Sequence, residues 1–384
     1  MSNDYIIFGS PLIGEEEIQA VTETLKTCWI GTGPRTHEFE NAIAEYVGAD
    51  LACAVGSCTA ALHLSMVASG VGEGHEVITT PVTFCATSNS VLHTGAKPVF
   101  VDVDRHTQNI DPAAIEAAVT DKTRAILPVH FAGRPCDMDA IGAIAKAKDL
   151  LVIEDAAHAL ESRYKGRPIG SISQLTCFSF YVTKNITTGE GGMVTTNDPE
   201  LAKTIRVAAL HGLSADAWER FGDKGYKHYE VVLPGYKYNL TDIASSMGLV
   251  QLRKIEGWLK RRNEVWARYD EAFANLPCFT PPPPEANTRH ARHLYTLMID
   301  IDQTPFTRNE FMTKMHQRGV GTGVHYRAVH MHPYYQERFG YKPEDFPNAY
   351  WISERTVSLP LSAKLTDEEV DRIIAAVTAT LNER

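Results

Sequence analysis

Lys184 closes an apolar run, FSFYVTK (178–184), and precedes a Thr- and Gly-rich turn, NITTGEGG (185–192). That is a poor setting for an ordinary solvated lysine. An amine held at a strand end inside a cleft loses proton affinity and becomes a nucleophile toward an aldehyde. Upstream, LLVIEDAAHA (150–159) sets Asp155 and His158 just past the end of a continuous apolar strand, where open α/β sheets bind ligands. A carboxylate there is partly desolvated and needs a positive partner. Asp155 and His158 alone suit a helix N-cap and a packing ring equally well, and Lys184 alone suits a loop lysine. Together they match one cofactor. Pyridoxal phosphate takes a lysine amine at its aldehyde, a carboxylate that keeps its pyridine nitrogen protonated, and donors for its phosphate. Ser179, shortly before Lys184, is a candidate phosphate donor.

A second phosphate element is legible in AVGSCTAALHLSM (54–66), where Gly56, Ser57, Cys58, Thr59 and Ala60 lie between a strand and a helix. Backbone N–H groups and the helix dipole make such a turn an anion site, although Ser and Thr also serve there as plain N-caps. Phe84, in TPVTFCAT, follows the next strand and suits either stacking on the cofactor ring or a place in the core.

These side chains need a scaffold, and the sequence supplies one. LACAV (51–55), EVITTP (76–81), KPVFVDV (97–103), RAILPVH (124–130), LLVIEDA (150–156), TCFSF (176–180) and GMVTTN (192–197) read as strands, with helical patterns between several of them. This alternation predicts an α/β fold with a mostly parallel sheet covered by helices. A long helical pattern around 251–276 ends before the run Pro281–Pro284, a punctuation that opens a smaller α+β region. There YTLMIDI reads as a strand, TRNEFMTKMHQRG as a helix and TDEEVDRIIAAVTATLNE as a final capped helix. The expected division is a large domain over 1–255 and a small one over 256–384.

The chain has 384 residues and a formal net charge of −10. That charge argues against nucleic acid as a partner, because phosphate neutralisation needs clustered Lys and Arg. No signal peptide pattern and no apolar run long enough to span a membrane is visible, which leads to a cytoplasmic expectation. Seven cysteines, irregularly spaced and without a CxxC pair, argue against a disulfide framework or structural zinc. His325 and His330 stand at i, i+5, off the helical i, i+4 zinc pattern, so no metal is expected.

EDAAHA, FSFYVTKNITTGEGG and LPGYKYNLTDIASSMGLVQLRKIE together resemble the DegT/DnrJ/StrS family of sugar aminotransferases, over nearly the whole chain. The resemblance implies the aspartate-aminotransferase fold (fold-type I) with a small C-terminal α+β domain. HGLSADAWER (211–220), GYKYNL (235–240), GVGTGVHYRAVHMHPYY (319–335) and NAYWISERTVSLPL (348–361) are most similar to UDP-4-amino-4-deoxy-L-arabinose–oxoglutarate aminotransferases. TPVTFCATSNSVLHTGAKPVFVDVD (80–104) is similar to the UDP-4-keto-6-deoxyhexosamine enzymes. By this resemblance Lys184 is the Schiff-base lysine and proton shuttle, Asp155 pairs with the pyridine nitrogen, and His158 lies by the ring oxygen. Phe84 stacks on the ring, and Ser57, Cys58, Thr59, Ala60 and Ser179 hold the phosphate. Family members take a further phosphate contact from the partner subunit through a GYNYRM-like segment. Lys237 and Asn239 stand in the Asn and Arg places of that segment here, which implies a homodimer with shared sites. Trp29, Gly31, Thr32, Gly33, Tyr181, Glu190, His325, Tyr326, Arg327 and His330 fall on the substrate side.

The implied reaction is ping-pong. L-glutamate leaves as 2-oxoglutarate, and its amino group passes to the C4 keto group of a UDP-linked keto sugar, a 4-keto-pentose or a 4-keto-6-deoxyhexosamine, for lipid A or surface-glycan assembly. A dTDP-3-keto or dTDP-4-keto deoxysugar is the alternative acceptor. In the family's dehydratases histidine replaces the lysine, so Lys184 argues against that class. The intact set of Lys184, Asp155 and Ser179 argues against a non-catalytic descendant.

Overall fold

Two helices, α1 (Glu15–Lys26) and α2 (Pro34–Val47), lead into an alternating stretch. Its elements are β1 (Leu51–Val55), α3 (Cys58–Ala68), β2 (Glu76–Thr79), α4 (Cys85–His93), β3 (Lys97–Phe100), α5 (Pro112–Ala118), β4 (Thr123–Leu127), α6 (Met138–Lys148) and β5 (Leu151–Asp155). A short hairpin of β6 (Arg163–Tyr164) and β7 (Arg167–Pro168) precedes β8 (Leu175–Ser179), β9 (Gly192–Thr196) and α7 (Pro199–Ala209). This computed structural model describes residues 5–214 and 229–383. Part of the HGLSADAWER segment (215–220) therefore lies outside the described residues.

Seven strands stand in the order β1-β9-β8-β5-β4-β2-β3. From β3 through β2, β4 and β5 to β8 every pairing is parallel. β9 runs antiparallel to both β8 and β1. The alternation of strands and helices anticipates the parallel part. It does not anticipate the reversal at β9, which the folded chain allows because no helix joins β8 to β9 and only a parallel return needs a crossover. The segment that joins them, 180–191, carries Lys184. Three strands stop earlier than their apolar runs suggest, β3 at Phe100 among them. β2 ends at Thr79 and β4 at Leu127, just before Pro81 and Pro128, which have no N–H to give a ladder.

Strand side chains alternate between two cores, as the pleat requires. Ile78, Ile126 and Val152 join Phe39 and Ile43 of α2 and Ile141 of α6. Val77, Leu127 and Ile153 join Leu62, Leu64 and Met66 of α3 and Ile205 of α7. Each such fully buried Leu or Ile side chain stabilises the fold by roughly 1.5–3 kcal/mol.

Helix α8 (Asp242–Phe273) is 32 residues long, starts from a Thr241 N-cap and passes through residue 255 without a break. Leu249 and Ile255 pack into the first core. Val265, Trp266, Tyr269 and Phe273 pack under a second sheet. That sheet is antiparallel, β10 (Cys278–Phe279), β11 (Tyr295–Ile299) and β12 (Thr356–Leu359). The proline run lies between β10 and β11 and is tied back by the Arg134 guanidinium, which donates to Pro282 O and, at 3.1 Å, to Pro283 O. Helices α9 (Arg308–Gln317), α10 (Pro333–Phe339), α11 (Pro347–Arg355) and α12 (Asp367–Leu381) complete the chain. Both helices read here from the sequence have capping boxes, Thr307 with Glu310 and Thr366 with Glu369.

Candidate active site

A cavity of about 590 Å³ opens at the C-terminal ends of β5 and β8. Asp155, the last residue of β5, is buried in its wall. Thr87 Oγ1 donates to Asp155 Oδ2 at 2.7 Å and the Ala157 N–H to Oδ1 at 3.1 Å. Because the Thr87 proton is directed at the carboxylate, Thr83 must donate to Thr87 across their 2.7 Å contact. Burial raises the Asp155 carboxyl above the ordinary carboxylate range, while Thr87, the Ala157 N–H, Lys184 and His130 pull it back. Among the described residues no cation lies within ion-pair distance of it.

Lys184 reaches the same cavity from the β8–β9 connection. Burial pushes its amine down to about 8, against the pull of Cys58 and Asp155. His158 is buried; its Nδ1 accepts the Ala132 N–H at 3.3 Å, so its Nε2 carries the proton and donates to Tyr326 Oη at 3.2 Å. Desolvation, then the Lys184 charge, lowers His158 well below the usual histidine range. The ring is neutral. His325 hydrogen-bonds Ser358 Oγ at 2.8 Å and is pushed down to about 4, chiefly by burial.

One end of the cavity is the N-terminus of α3. Ser57 Oγ caps the helix by accepting the Ala60 N–H at 3.1 Å, and the first N–H groups of a helix have no intrahelical partner. Strand β9 presses against this turn. A Cβ on Gly192 would lie 2.5 Å from Ser57 C and O and 2.7 Å from Cys58 N. Only glycine permits that approach. Ser57, Cys58, Thr59, Phe84, Ser179, Tyr181, Glu190 and Tyr326 also line the cavity. Phe84 is 59% exposed, with its ring 6.1 Å from that of Tyr326.

Other residues expected from the sequence are not brought to this cavity in the described chain. Ala60 sits one step behind it, its N–H taken by Ser57. Trp29, Gly31, Thr32 and Gly33 form the turn between α1 and α2. There Trp29 Nε1 donates to Thr32 O at 3.1 Å and Gly31 O accepts the Asp242 N–H at 2.8 Å. Thr32 Oγ1 donates to Leu240 O and accepts from Asn239 Nδ2 at 2.7 Å. Lys237 is exposed. His330 is fully buried away from the cavity, with Nε2 3.3 Å from Pro343 O. Arg327 faces a second cavity of about 640 Å³ that shares Thr83, Phe84, Val324 and Tyr326 with the first. Thr87, Thr83 and His293 are members the sequence reading passed over. Thr83 and Thr87 line the cavity, whereas His293 stands behind it, packed on the His158 ring.

A pyridoxal phosphate fits these residues. The buried carboxylate without a cationic partner suits a protonated ring nitrogen, the depressed amine suits an aldehyde, and the α3 terminus suits a phosphate.

The sequence model of the DegT/DnrJ/EryC1/StrS aminotransferase family matches residues 11–378. The spore coat polysaccharide biosynthesis protein SpsC of Bacillus subtilis is 51% identical over 376 residues, 98% of this chain and 97% of that one. Spr1654 of Streptococcus pneumoniae, described as a sugar aminotransferase and solved in PMP and PLP forms, superposes in its PMP form with a TM-score of 0.91 at 35% identity. That match covers 98% of this chain and 97% of the other. Helicobacter pylori PseC, an aminotransferase involved in the biosynthesis of pseudoaminic acid, gives a TM-score of 0.91 at 31% identity, over 98% and 99% of the two chains.

Proposed function

This chain belongs to the DegT/DnrJ/EryC1/StrS aminotransferase family, and from that premise we propose that it moves the amino group of L-glutamate to the C4 keto group of a UDP-linked keto sugar. It is a sugar aminotransferase with the fold-type I architecture and a pyridoxal phosphate cofactor. The observation that carries the site reading is the meeting of Lys184, from the β8–β9 connection, and Asp155, from the end of β5, in one cavity.

When bound, pyridoxal phosphate supplies the carbon that receives and returns the amino group and the electron sink for the carbanion between. Lys184 holds the cofactor and, when freed, carries the proton between substrate and cofactor carbons. An amine at about 8 is part neutral near neutrality and can do both. Asp155 keeps the ring nitrogen protonated, and the bond from Thr87 fixes its carboxylate plane. His158, neutral and donating to Tyr326, would face the ring's oxygen side. Phe84 covers the ring face. Ser57, Cys58, Thr59 and Ser179 receive the phosphate with the α3 N-terminus. Lys237 of the partner subunit completes the phosphate shell, which makes the working unit a homodimer. Support for Lys237 over Asn239 comes from their surroundings, since the Asn239 amide is engaged by Thr32 and Lys237 is exposed. The same reading assigns cofactor binding to the part before residue 256 and a share of the substrate wall, through His325 and Tyr326, to the part after it.

An acceptor larger than an amino acid is supported by the second cavity, which continues past Phe84 and Tyr326 and offers the Arg327 guanidinium to a diphosphate. The likeness to a spore coat polysaccharide protein and to PseC supports surface-glycan assembly, a reaction we place in the cytoplasm. Among the described residues no helix is long and apolar enough to cross a membrane. The test is a panel of UDP- and dTDP-linked 3-keto and 4-keto sugars with glutamate as donor, read by product mass. Amination of a UDP-4-keto sugar is expected. Amination of plain 2-oxo acids with no nucleotide sugar converted would overturn the substrate class.

A further inference from the structure

Lys184 is followed in the chain by Asn185, and every polar atom of the Asn185 amide is engaged by a buried group. Its Nδ2 donates to Glu161 Oε2 at 2.8 Å and to Ala291 O at 3.1 Å. Its Oδ1 lies 2.9 Å from His293 Nδ1. The amide can face only one way, because a carboxylate and a carbonyl only accept. His293 must therefore donate through Nδ1. Glu161 is in turn ion-paired to Arg262 of α8, and both side chains are almost wholly buried, at 1% and 3% exposure. A buried pair of this kind is costly to break and holds its neighbours in one geometry. The His293 ring lies on the His158 ring, centroids 4.4 Å apart at 33°. His158 is the ring that donates to Tyr326 in the cavity wall.

We propose that Asn185 is a positioning residue for transamination. It fixes the backbone from which Lys184 reaches the cofactor, and it fixes His293 as the tautomer that packs on His158. The Arg262–Glu161 pair anchors this clamp from the long helix that also packs under the second sheet. A rigid support matters because a displacement of about 1 Å in a reacting group costs on the order of 10²-fold in rate. The inference rests on the function proposed above.

The test compares wild-type holoenzyme with N185A and with the isosteric N185D, which places a carboxylate against Glu161. Three readouts are taken: the pH midpoint of the visible cofactor band, kcat and KM for glutamate, and the thermal midpoint. The groups that act on Lys184 or feel its charge are Cys58, Asp155, His158, His293 and His325, and all are kept intact in both variants. Both variants are expected to bind cofactor stoichiometrically and to show a displaced pH midpoint. Their kcat should fall by on the order of 10- to 100-fold, with KM for glutamate within about threefold of wild type. A lowered thermal midpoint with kcat and the pH midpoint unmoved would make Asn185 merely structural and overturn the inference. A wild type with no visible band would overturn the assigned function, and this inference with it. A wild-type band with unmoved variants overturns this inference alone.

Discussion

Lys184 has its amine pushed down to about 8 by burial, from an ordinary 10.5. Between those values the unfolded chain holds a proton on this lysine that the folded chain lacks. The cost to stability is therefore fully present below about 8 and is relieved as pH rises toward the ordinary value. Uptake of pyridoxal phosphate by the cofactor-free protein should rise with pH, half-maximal near 8, when followed by absorbance. A midpoint at the ordinary lysine value would mean that the site does not desolvate the amine. Lys184→Ala should abolish the visible band and lower turnover by on the order of 10²–10⁴-fold, the range a positioned proton-transfer group carries. Lys184 and Asp155 are legible in the sequence because Asp155 closes an apolar strand and Lys184 follows one before a Gly-rich turn, both local patterns. Thr87 and Asn185 are not. Their partners, Asp155 and His293, are 68 and 108 residues away in sequence, and a single Thr or Asn carries no local mark of such a bond.

The phosphate end of the cavity depends on two elements touching, the turn that starts α3 and the strand β9. Gly192→Ala would drive a methyl group into Ser57 and Cys58 backbone atoms. Backbone cannot rotate aside as a side chain can, so the turn or the strand must move. The expected result is a loss of about 1–3 kcal/mol in stability together with weaker cofactor binding, read by chemical denaturation and cofactor titration. Unchanged binding would place the phosphate elsewhere. Strands β1 to β5 are legible as alternation; the ends of β2 and β4 fall short where a proline follows closely, and β3 stops at Phe100, short of its apolar run, with no proline after it. The direction of β9 was not legible, since GMVTT is buried throughout and reads the same in either orientation. It is the reversal of this strand that brings Gly192 to the α3 turn and leaves Lys184 on the connecting segment.

At the scale of the whole molecule, the proposed site takes Lys237 from a second chain. Lys237→Ala should weaken cofactor affinity by about tenfold, the worth of one hydrogen bond to a charged group. Mixing it with Lys184→Ala protein should restore one fully competent site per mixed dimer. Failure of mixing to restore tight binding would mean that each chain builds its site alone. The proposed homodimer cannot be read from composition, and in the sequence it rests on one segment, GYKYNL. The second cavity was equally invisible there, because its walls come from α4 and from residues after 323. The most direct test of the central claim is a pair of half-reactions on the purified holoenzyme. Glutamate should bleach the visible band with release of one 2-oxoglutarate per chain, and a UDP-4-keto sugar should then restore the band while becoming the amino sugar. A band that glutamate leaves untouched, or one restored by 2-oxo acids and by no nucleotide-linked keto sugar, would contradict the account.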